Sequence, residues 1–251
     1  ATGLIAVDLA KSAAPDGYTL FAATSTLFAT FPALKAKLSY DADRDFAPLS
    51  RMASVANVVT VYANLGVDTA ADLVKLARAK PGQLNYGSAG NGSPAHLAGA
   101  MFDALTGART IHVPYKGSSE ARTGVMSGQV EIMIDAITTM TPQIKANRVR
   151  ALGTTGLKRS SVLPDVPTVS EAGVKGYEAT IWLGVMVPTG TPKAVIDRLN
   201  GEVVKVVTRP DVRKAWNEQG AEPMSMNPAE FEKYLNDDIA KWAKVVKASG
   251  A

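Results

Sequence analysis

The segment best suited to chemistry is a glycine-rich turn that joins a short apolar run to an amphipathic run. It consists of Ser88-Ala89-Gly90-Asn91-Gly92-Ser93. A helix predicted to begin at Ser93 directs free N–H groups and the positive end of its dipole at this turn, and small side chains leave room for an anion. The glycines could instead only permit a tight turn with positive φ. The turn follows a predicted strand, where open α/β sheets bind ligands, so we expect a carboxylate or phosphate site.

Other polar residues follow predicted strands or lie near the turn. His96 lies one turn into the helix and could donate to the anion, or it could cap or pack. Asp135 ends an apolar strand and could bind an amine, a hydroxyl or a water, or cap the next turn. His112 is expected to be a core residue or a support of the site. Thr24 and Ser25 follow a buried strand and could line a cleft or cap the next helix.

Two enzyme classes can be weighed against these residues. Gly90-x-Gly92-x-x-Ala95 matches a dinucleotide-binding fingerprint, but no acidic residue ends the following strand, Thr110–Tyr115. Tyr86 occupies the position where a nucleophile elbow around Ser88 would need glycine. No second acid or base is spaced to work with Asp135. We therefore predict a binding protein and not an enzyme, with a nucleotide-dependent oxidoreductase as the alternative.

The composition of the chain excludes several kinds of binding site and partner. The chain has 251 residues, a net charge of +4, no cysteine and two histidines. These counts exclude thiolate metal sites and disulfides and disfavour a multi-histidine metal centre, so no metal is expected. The incomplete dinucleotide fingerprint likewise predicts no cofactor. The basic residues are spread along the chain, which argues against a nucleic-acid partner. The longest apolar run, Ala179–Pro188, is too short to span a bilayer.

Short β-branched runs alternate with amphipathic stretches, which indicates an α/β fold with two open, mostly parallel sheets. The predicted strands are Thr19–Ala23, Val58–Tyr62, Leu84–Ser88, Thr110–Tyr115, Val130–Ile134, Val149–Thr155 and Thr180–Val187. The predicted helices are Thr69–Ala79, Ser93–Thr106, Ser118–Ser127 and Pro142–Ala146, with three more beginning at Pro192, Pro210 and Pro228.

The order of these elements predicts two lobes. Lobe 1 would comprise residues 1–62 and 182–251, and lobe 2 residues 63–181. Asn57–Gly66 and Thr180–Gly190 would be the two crossing strands, and Lys158–Glu178 an irregular surface connection between the lobes. Trp182, near the second crossing strand, could pack on an aromatic ligand or belong to the core.

Several segments, in this order along the chain, resemble the Bug family, the substrate-binding proteins of tripartite tricarboxylate transporters. They are Ala14-Pro15-Asp16-Gly17-Tyr18-Thr19-Leu20, Leu84–Ser93, His112-Val113-Pro114-Tyr115-Lys116-Gly117, Leu163-Pro164-Asp165-Val166-Pro167-Thr168 and Val187-Pro188-Thr189-Gly190-Thr191-Pro192. The resemblance implies a two-lobed periplasmic binding protein fold of type II. It also implies that Ser88–Ser93, the hydroxyls of Thr24 and Ser25, and Asp135 face a ligand.

The resemblance also implies a function and partners. The expected protein is a periplasmic monomer that captures a dicarboxylate or aromatic carboxylate in a cleft between the lobes and delivers it to membrane permease subunits. Family members usually carry a strand, a Pro/Gly-rich ligand loop and a helix ahead of the segment that matches Ala1. We therefore expect either a longer natural chain or a first lobe that lacks these elements.

Overall fold

The computed structural model describes residues 3–34 and 37–249, which divide into two units. Unit 1 contains the described residues of Ala1–Ser54 and Ile181–Lys244. Its strands are β1 (Phe21–Thr24), β2 (Phe46–Val55), β8 (Ile181–Pro188) and β9 (Ala221–Pro223). Its helices are α1 (Leu4–Lys11), a π-helical segment (Thr26–Thr30), α2 (Phe31–Leu34), α3 (Ala42–Asp45), α8 (Lys193–Val207), α9 (Pro210–Glu218) and most of α10 (Pro228–Ser249). The strand order is β1-β8-β2-β9, and β1 runs antiparallel to β8.

The core of unit 1 is aromatic. The ring of Phe28 lies 5.7 Å from that of Phe21 and 5.2 Å from that of Phe46. Trp182 is fully buried, packs edge-on against Phe231 at 5.3 Å and donates its Nε1–H to the Asp238 carboxylate at 2.8 Å. Of the two roles considered for Trp182, the structure shows the core role.

Unit 2 contains Val55–Thr180 and the described residues of Val245–Ala251. Its strands are β3 (Asn57–Tyr62), β4 (Asn85–Ser88), β5 (Ile111–Pro114), β6 (Ile132–Ala136) and β7 (Val149–Thr154), and its helices are α4 (Ala70–Ala79), α5 (Pro94–Thr106), α6 (Ser118–Ser127) and α7 (Ile137–Lys145). The strand order is β5-β4-β6-β3-β7. β4 pairs parallel with β5 and β6, whereas β3 pairs antiparallel with β6 and β7. Four strands therefore share one direction and β3 opposes them.

Local sequence signals explain where the helices of unit 2 begin and end. The Thr69 side chain accepts from the Asp72 N–H and caps α4. Ser93 caps α5, Pro94 occupies its first turn, and Gly107 ends it in the left-handed conformation at φ 67°. These predicted helices are confirmed within one residue at each end.

The predicted start of α7 at Pro142 is wrong. The helix begins at Ile137, so Pro142 lies inside it. The Ile137 N–H donates to the Ala56 carbonyl at 3.0 Å, and Ile137 and Met140 are buried. The chain therefore turns from β6 directly into a helix that is held by burial of its apolar residues.

The segment Lys158–Glu178 was predicted to connect the two lobes at the surface, but it lies wholly within unit 2. Thr168 forms a parallel bridge with Thr154, and the fully buried Tyr177 donates its hydroxyl to the Ala98 carbonyl at 2.9 Å. The segment is irregular, as its prolines and glycines indicate; Thr168 and Tyr177 are buried in unit 2, whereas residues such as Arg159 and Asp165 are exposed.

The division between the units falls at the end of β2, at the start of β8 and within α10. The boundary predicted after residue 62 would leave Val55–Tyr62, and with it all of β3, in the first lobe. β3 is an interior strand of the unit 2 sheet with partners on both sides, so its backbone bonds place it there. Within the described residues, no helix combines the length and apolar character that crossing a membrane requires.

We predict that Gly184→Ala destabilises unit 1. A Cβ at Gly184 would lie 2.6 Å from Cζ of Phe231 and 3.1 Å from the Ser50 carbonyl oxygen. Overpacking of this kind costs about 1–3 kcal/mol. Urea unfolding followed by circular dichroism measures the change.

The matched control is Gly201→Ala in α8, where a Cβ meets nothing within 4 Å. Removing a glycine from a helix interior should raise the free energy of unfolding by about 0.5–1 kcal/mol. A Gly184→Ala protein as stable as the parent would contradict the packing of Phe231 on β8.

Candidate functional site

Three strand ends meet at one edge of the unit 2 sheet. Ser88 pairs with Pro114 and Gly87 with Met133, so the ends of β4, β5 and β6 lie side by side. This register brings the glycine turn next to the end of β6, which carries Asp135. Seven of the nine candidate residues share this edge of the sheet, namely Ser88, Ala89, Gly90, Gly92, Ser93, His96 and Asp135.

The turn Ser88–Ser93, called the glycine loop from here on, has the backbone that its sequence predicts. Gly90 and Gly92 adopt φ values of 117° and 76°, in the region that favours glycine. The Ser93 N–H donates to the Gly90 carbonyl at 3.2 Å, and the Ser93 hydroxyl accepts from the His96 N–H at 3.3 Å. The loop is therefore a closed turn that leads directly into α5.

The N–H groups of the glycine loop fall into two sets. The Gly90 N–H donates to the Ser88 hydroxyl at 3.0 Å, and the Gly92 N–H donates to Nδ1 of His96 at 3.0 Å. The N–H groups of Ala89, Asn91 and Ala95 have no hydrogen-bond acceptor among the described residues. The fold itself therefore uses the glycine N–H groups and leaves the other three without an acceptor among the described residues.

Ser88 connects the loop to the neighbouring strand. Its side chain is fully buried, and its Oγ lies 2.6 Å from Nε2 of His112 and 3.1 Å from the Gly90 carbonyl oxygen. The sequence predicted His112 to be either a core residue or a support of the site. In the structure it supports the loop through its contact with Ser88. Only the parallel pairing of β4 with β5 brings these two residues together, and no local motif links them.

His96 lies against His112 rather than facing solvent. The two imidazole rings stack with centroids 4.0 Å apart, and Tyr86 stacks on His112 at 5.0 Å. Burial lowers the pKa of His96, and burial together with the adjacent His96 lowers the pKa of His112 to about 4. Both histidines are therefore neutral at pH 7.

A pocket of about 340 Å³ adjoins this pair. Its polar lining includes Tyr86, His96, His112, Thr110 and Asp103, and burial raises the pKa of Asp103. No group of three His, Cys, Asp or Glu side chains within the described part of the chain could hold a metal ion.

Asp135 has a cationic partner that the sequence did not identify. Nη1 of Arg122, on α6, lies 2.9 Å from Oδ2 of Asp135, and Oγ1 of Thr139 lies 3.3 Å from the same oxygen. Both charged side chains are mostly buried, with 20% and 13% of their surfaces exposed. The charge of Arg122 therefore offsets that of Asp135.

Thr24 and Ser25 belong to unit 1. Thr24 ends β1 opposite Leu183, and Ser25 is buried at the start of the π-helical segment. The Ser25 hydroxyl makes no capping bond, so the alternative role as a helix cap is not the one seen. Ligand contact by these two residues stays a prediction.

The fold is that of a substrate-binding protein, as its similarity to the solved structure of the periplasmic binding protein BugD shows. The solved structure titled "R. palustris Rpa4515 with adipate" matches 99% of this chain and 83% of its own, with a TM-score of 0.88 and 35% identity. The structure of MatC from Rhodopseudomonas palustris with bound malate matches 98% of this chain and 85% of its own, with a TM-score of 0.80 and 27% identity.

The sequence comparisons identify the family. The model of the tripartite tricarboxylate transporter family receptor matches residues 1–251. Protein BugT of Bordetella pertussis is 32% identical over 252 residues, which cover all of this chain and 77% of BugT. The chain belongs to this receptor family, whose members are periplasmic binding proteins and not enzymes. The predicted family is confirmed, and the alternative of an oxidoreductase is wrong.

Stability should depend on pH through His112. Its folded-state pKa of about 4 lies below the usual 6.5, so between these values the unfolded chain binds more protons than the folded one. His112 therefore contributes fully to the free energy of unfolding above pH 6.5, and this contribution is lost as the pH falls towards 4. We expect a loss of about 1–3 kcal/mol from this residue.

Urea unfolding of the parent and of His112→Gln at several pH values measures this contribution, together with any change that the substitution causes in the titration of the stacked His96. Glutamine cannot take up the proton, so its curve should be flatter between pH 6.5 and 4. Parallel curves for the two proteins would show that His112 is not buried as a neutral ring.

Proposed function

We propose that this chain captures a small carboxylate at its glycine loop and delivers it, in the periplasm, to the membrane subunits of a tripartite tricarboxylate transporter. The observation that carries the proposal is the set of N–H groups on Ala89, Asn91 and Ala95, which have no acceptor among the described residues. A carboxylate has acceptor sites enough for all three, and charge-assisted bonds of this kind are stronger than neutral ones.

The surroundings of the loop support an anionic ligand. The N-terminus of α5 adds the positive end of a helix dipole. Both histidines are neutral, and the charges of Arg122 and Asp135 balance each other. The backbone dipoles at the start of α5 favour a negative charge at the loop.

The relatives support the choice of ligand class and of partner. Adipate and malate, named in the titles of two similar structures, are both dicarboxylates. The family is a receptor family of tripartite tricarboxylate transporters, which supports delivery to membrane subunits. We propose a dicarboxylate as the ligand, with an aromatic carboxylate as the second choice.

We predict that Gly92→Val weakens carboxylate binding at least tenfold. A β-branched side chain resists a φ of 76°, so the loop must change shape and its free N–H groups must diverge. Isothermal titration calorimetry with adipate and malate measures the affinity, and circular dichroism confirms the folding of the variant.

The matched control is Gly66→Val, a glycine of unit 2 with a similar φ of 79° and open space around it. It carries the same backbone strain at a distance from the loop in sequence, so it should lose stability but keep its affinity. Equal affinities in Gly92→Val and Gly66→Val would show that the glycine loop is only a turn.

A further inference from the structure

A histidine holds each glycine N–H of the loop, directly for Gly92 and through the Ser88 hydroxyl for Gly90. Nδ1 of His96 accepts the Gly92 N–H at 3.0 Å, so this nitrogen carries no proton and neutral His96 holds its proton on Nε2. Nε2 of His112 lies 2.6 Å from the Ser88 hydroxyl, and that hydroxyl accepts the Gly90 N–H at 3.0 Å. The two histidines together fix both glycines.

A proton added to His96 has only one place to go. Because Nε2 is already protonated, the new proton must bind Nδ1, where it would face the Gly92 N–H. Two donors cannot share a hydrogen bond, so the Gly92 amide would have to leave. Charging His96 is therefore incompatible with the loop as it stands.

The groups that surround His96 favour its neutral form. The ring of His112 stacks on it at 4.0 Å, and two charged rings at that distance would repel. Tyr86 lies 6.5 Å away, and Tyr177 bonds to α5 through the Ala98 carbonyl; burial raises the pKa of both phenols, which stay neutral. Asp103 lines the same pocket and would stabilise a charged ring, but burial outweighs it and lowers the pKa of His96.

We propose that His96 and His112 are positioning residues that hold the glycine loop only as neutral imidazoles, so that proton uptake by His96 opens the loop and releases the carboxylate. This inference rests on the proposed function and adds proton-linked release to it. The Gly92 N–H would have two states: bonded to Nδ1 of His96 in the closed loop, and free of that nitrogen in the open loop. Affinity should therefore follow the fraction of molecules with neutral His96.

A charged His96 has an opposite effect as well, since an imidazolium near the loop would attract a carboxylate. If attraction dominated, affinity would rise on acidification. The direction of the pH dependence therefore distinguishes a positioning role, which needs the neutral ring, from a role as a cationic ligand contact.

The first experiment compares variants by calorimetry with adipate and malate between pH 7.5 and 4.5. In His96→Asn, the side-chain oxygen stands as many bonds from Cβ as Nδ1 does, so it can accept the Gly92 N–H but cannot titrate. His96→Phe can do neither. At pH 7.5 we expect about a tenfold or larger loss for His96→Phe and substantial rescue in His96→Asn.

The pH profile then decides the proposal. Parental affinity should fall below pH 6.5, by half at the pKa of His96 and about tenfold one unit lower, relative to His96→Asn in the same buffers. The comparison cancels protonation of the dicarboxylate itself. Equal slopes in the parent and His96→Asn, or a parental affinity that rises in acid, would overturn the proposal.

The second experiment needs no ligand. In ¹⁵N-labelled protein, the Gly92 amide resonance should move with the same pKa as the His96 ring nitrogens, and Nδ1 should be the unprotonated nitrogen at pH 7.5. If the chemical shift of the Gly92 amide does not change while His96 titrates, the proposal is wrong, even if neither dicarboxylate binds. Absence of binding at pH 7.5 with a coupled Gly92 amide would instead contradict the proposed function alone.

Discussion

Hydrogen bonding of the backbone at the start of α5 is the constraint on which the site depends. Buried N–H groups are stabilised by acceptors, and two amides of the glycine loop find them in Ser88 of the loop and His96 of α5. This internal bonding fixes the turn. The N–H groups of Ala89, Asn91 and Ala95 have no acceptor among the described residues, and we propose that a carboxylate uses them. A site held in this way loses little conformational entropy when it binds, which favours affinity.

The pairing of strands in the unit 2 sheet provides the contacts around the loop that are distant in sequence. Parallel pairing of β4 with β5 places His112 beside Ser88, and pairing of β4 with β6 places the ion pair of Arg122 and Asp135 at the same edge. The first contact stiffens the loop, and the second prevents Asp135 from adding an uncompensated negative charge. Changes in strands that never touch the ligand can therefore alter binding, because they move the partners of Ser88 and Asp135.

Local signals in the sequence predict much of this arrangement. Ser93, Pro94 and Gly107 mark both ends of α5, and the glycines predict the positive φ values that the loop adopts. Features that depend on contacts distant in sequence were missed. Arg122 reaches Asp135 only because α6 packs beside β6, and His112 reaches Ser88 only across the sheet. The start of α7 was also missed, because burial of Ile137 outweighs the local signal of Pro142.

The most direct test of the central claim follows the backbone amides during a titration with adipate or malate at pH 7.5. In ¹H–¹⁵N spectra, the amide protons of Ala89, Asn91 and Ala95 should move downfield, as new hydrogen bonds to a carboxylate require. The amides of Gly90 and Gly92 should move less, since they keep their acceptors within the protein. If these three amides stay in place while others respond to the ligand, the carboxylate binds elsewhere and the glycine loop is not its site.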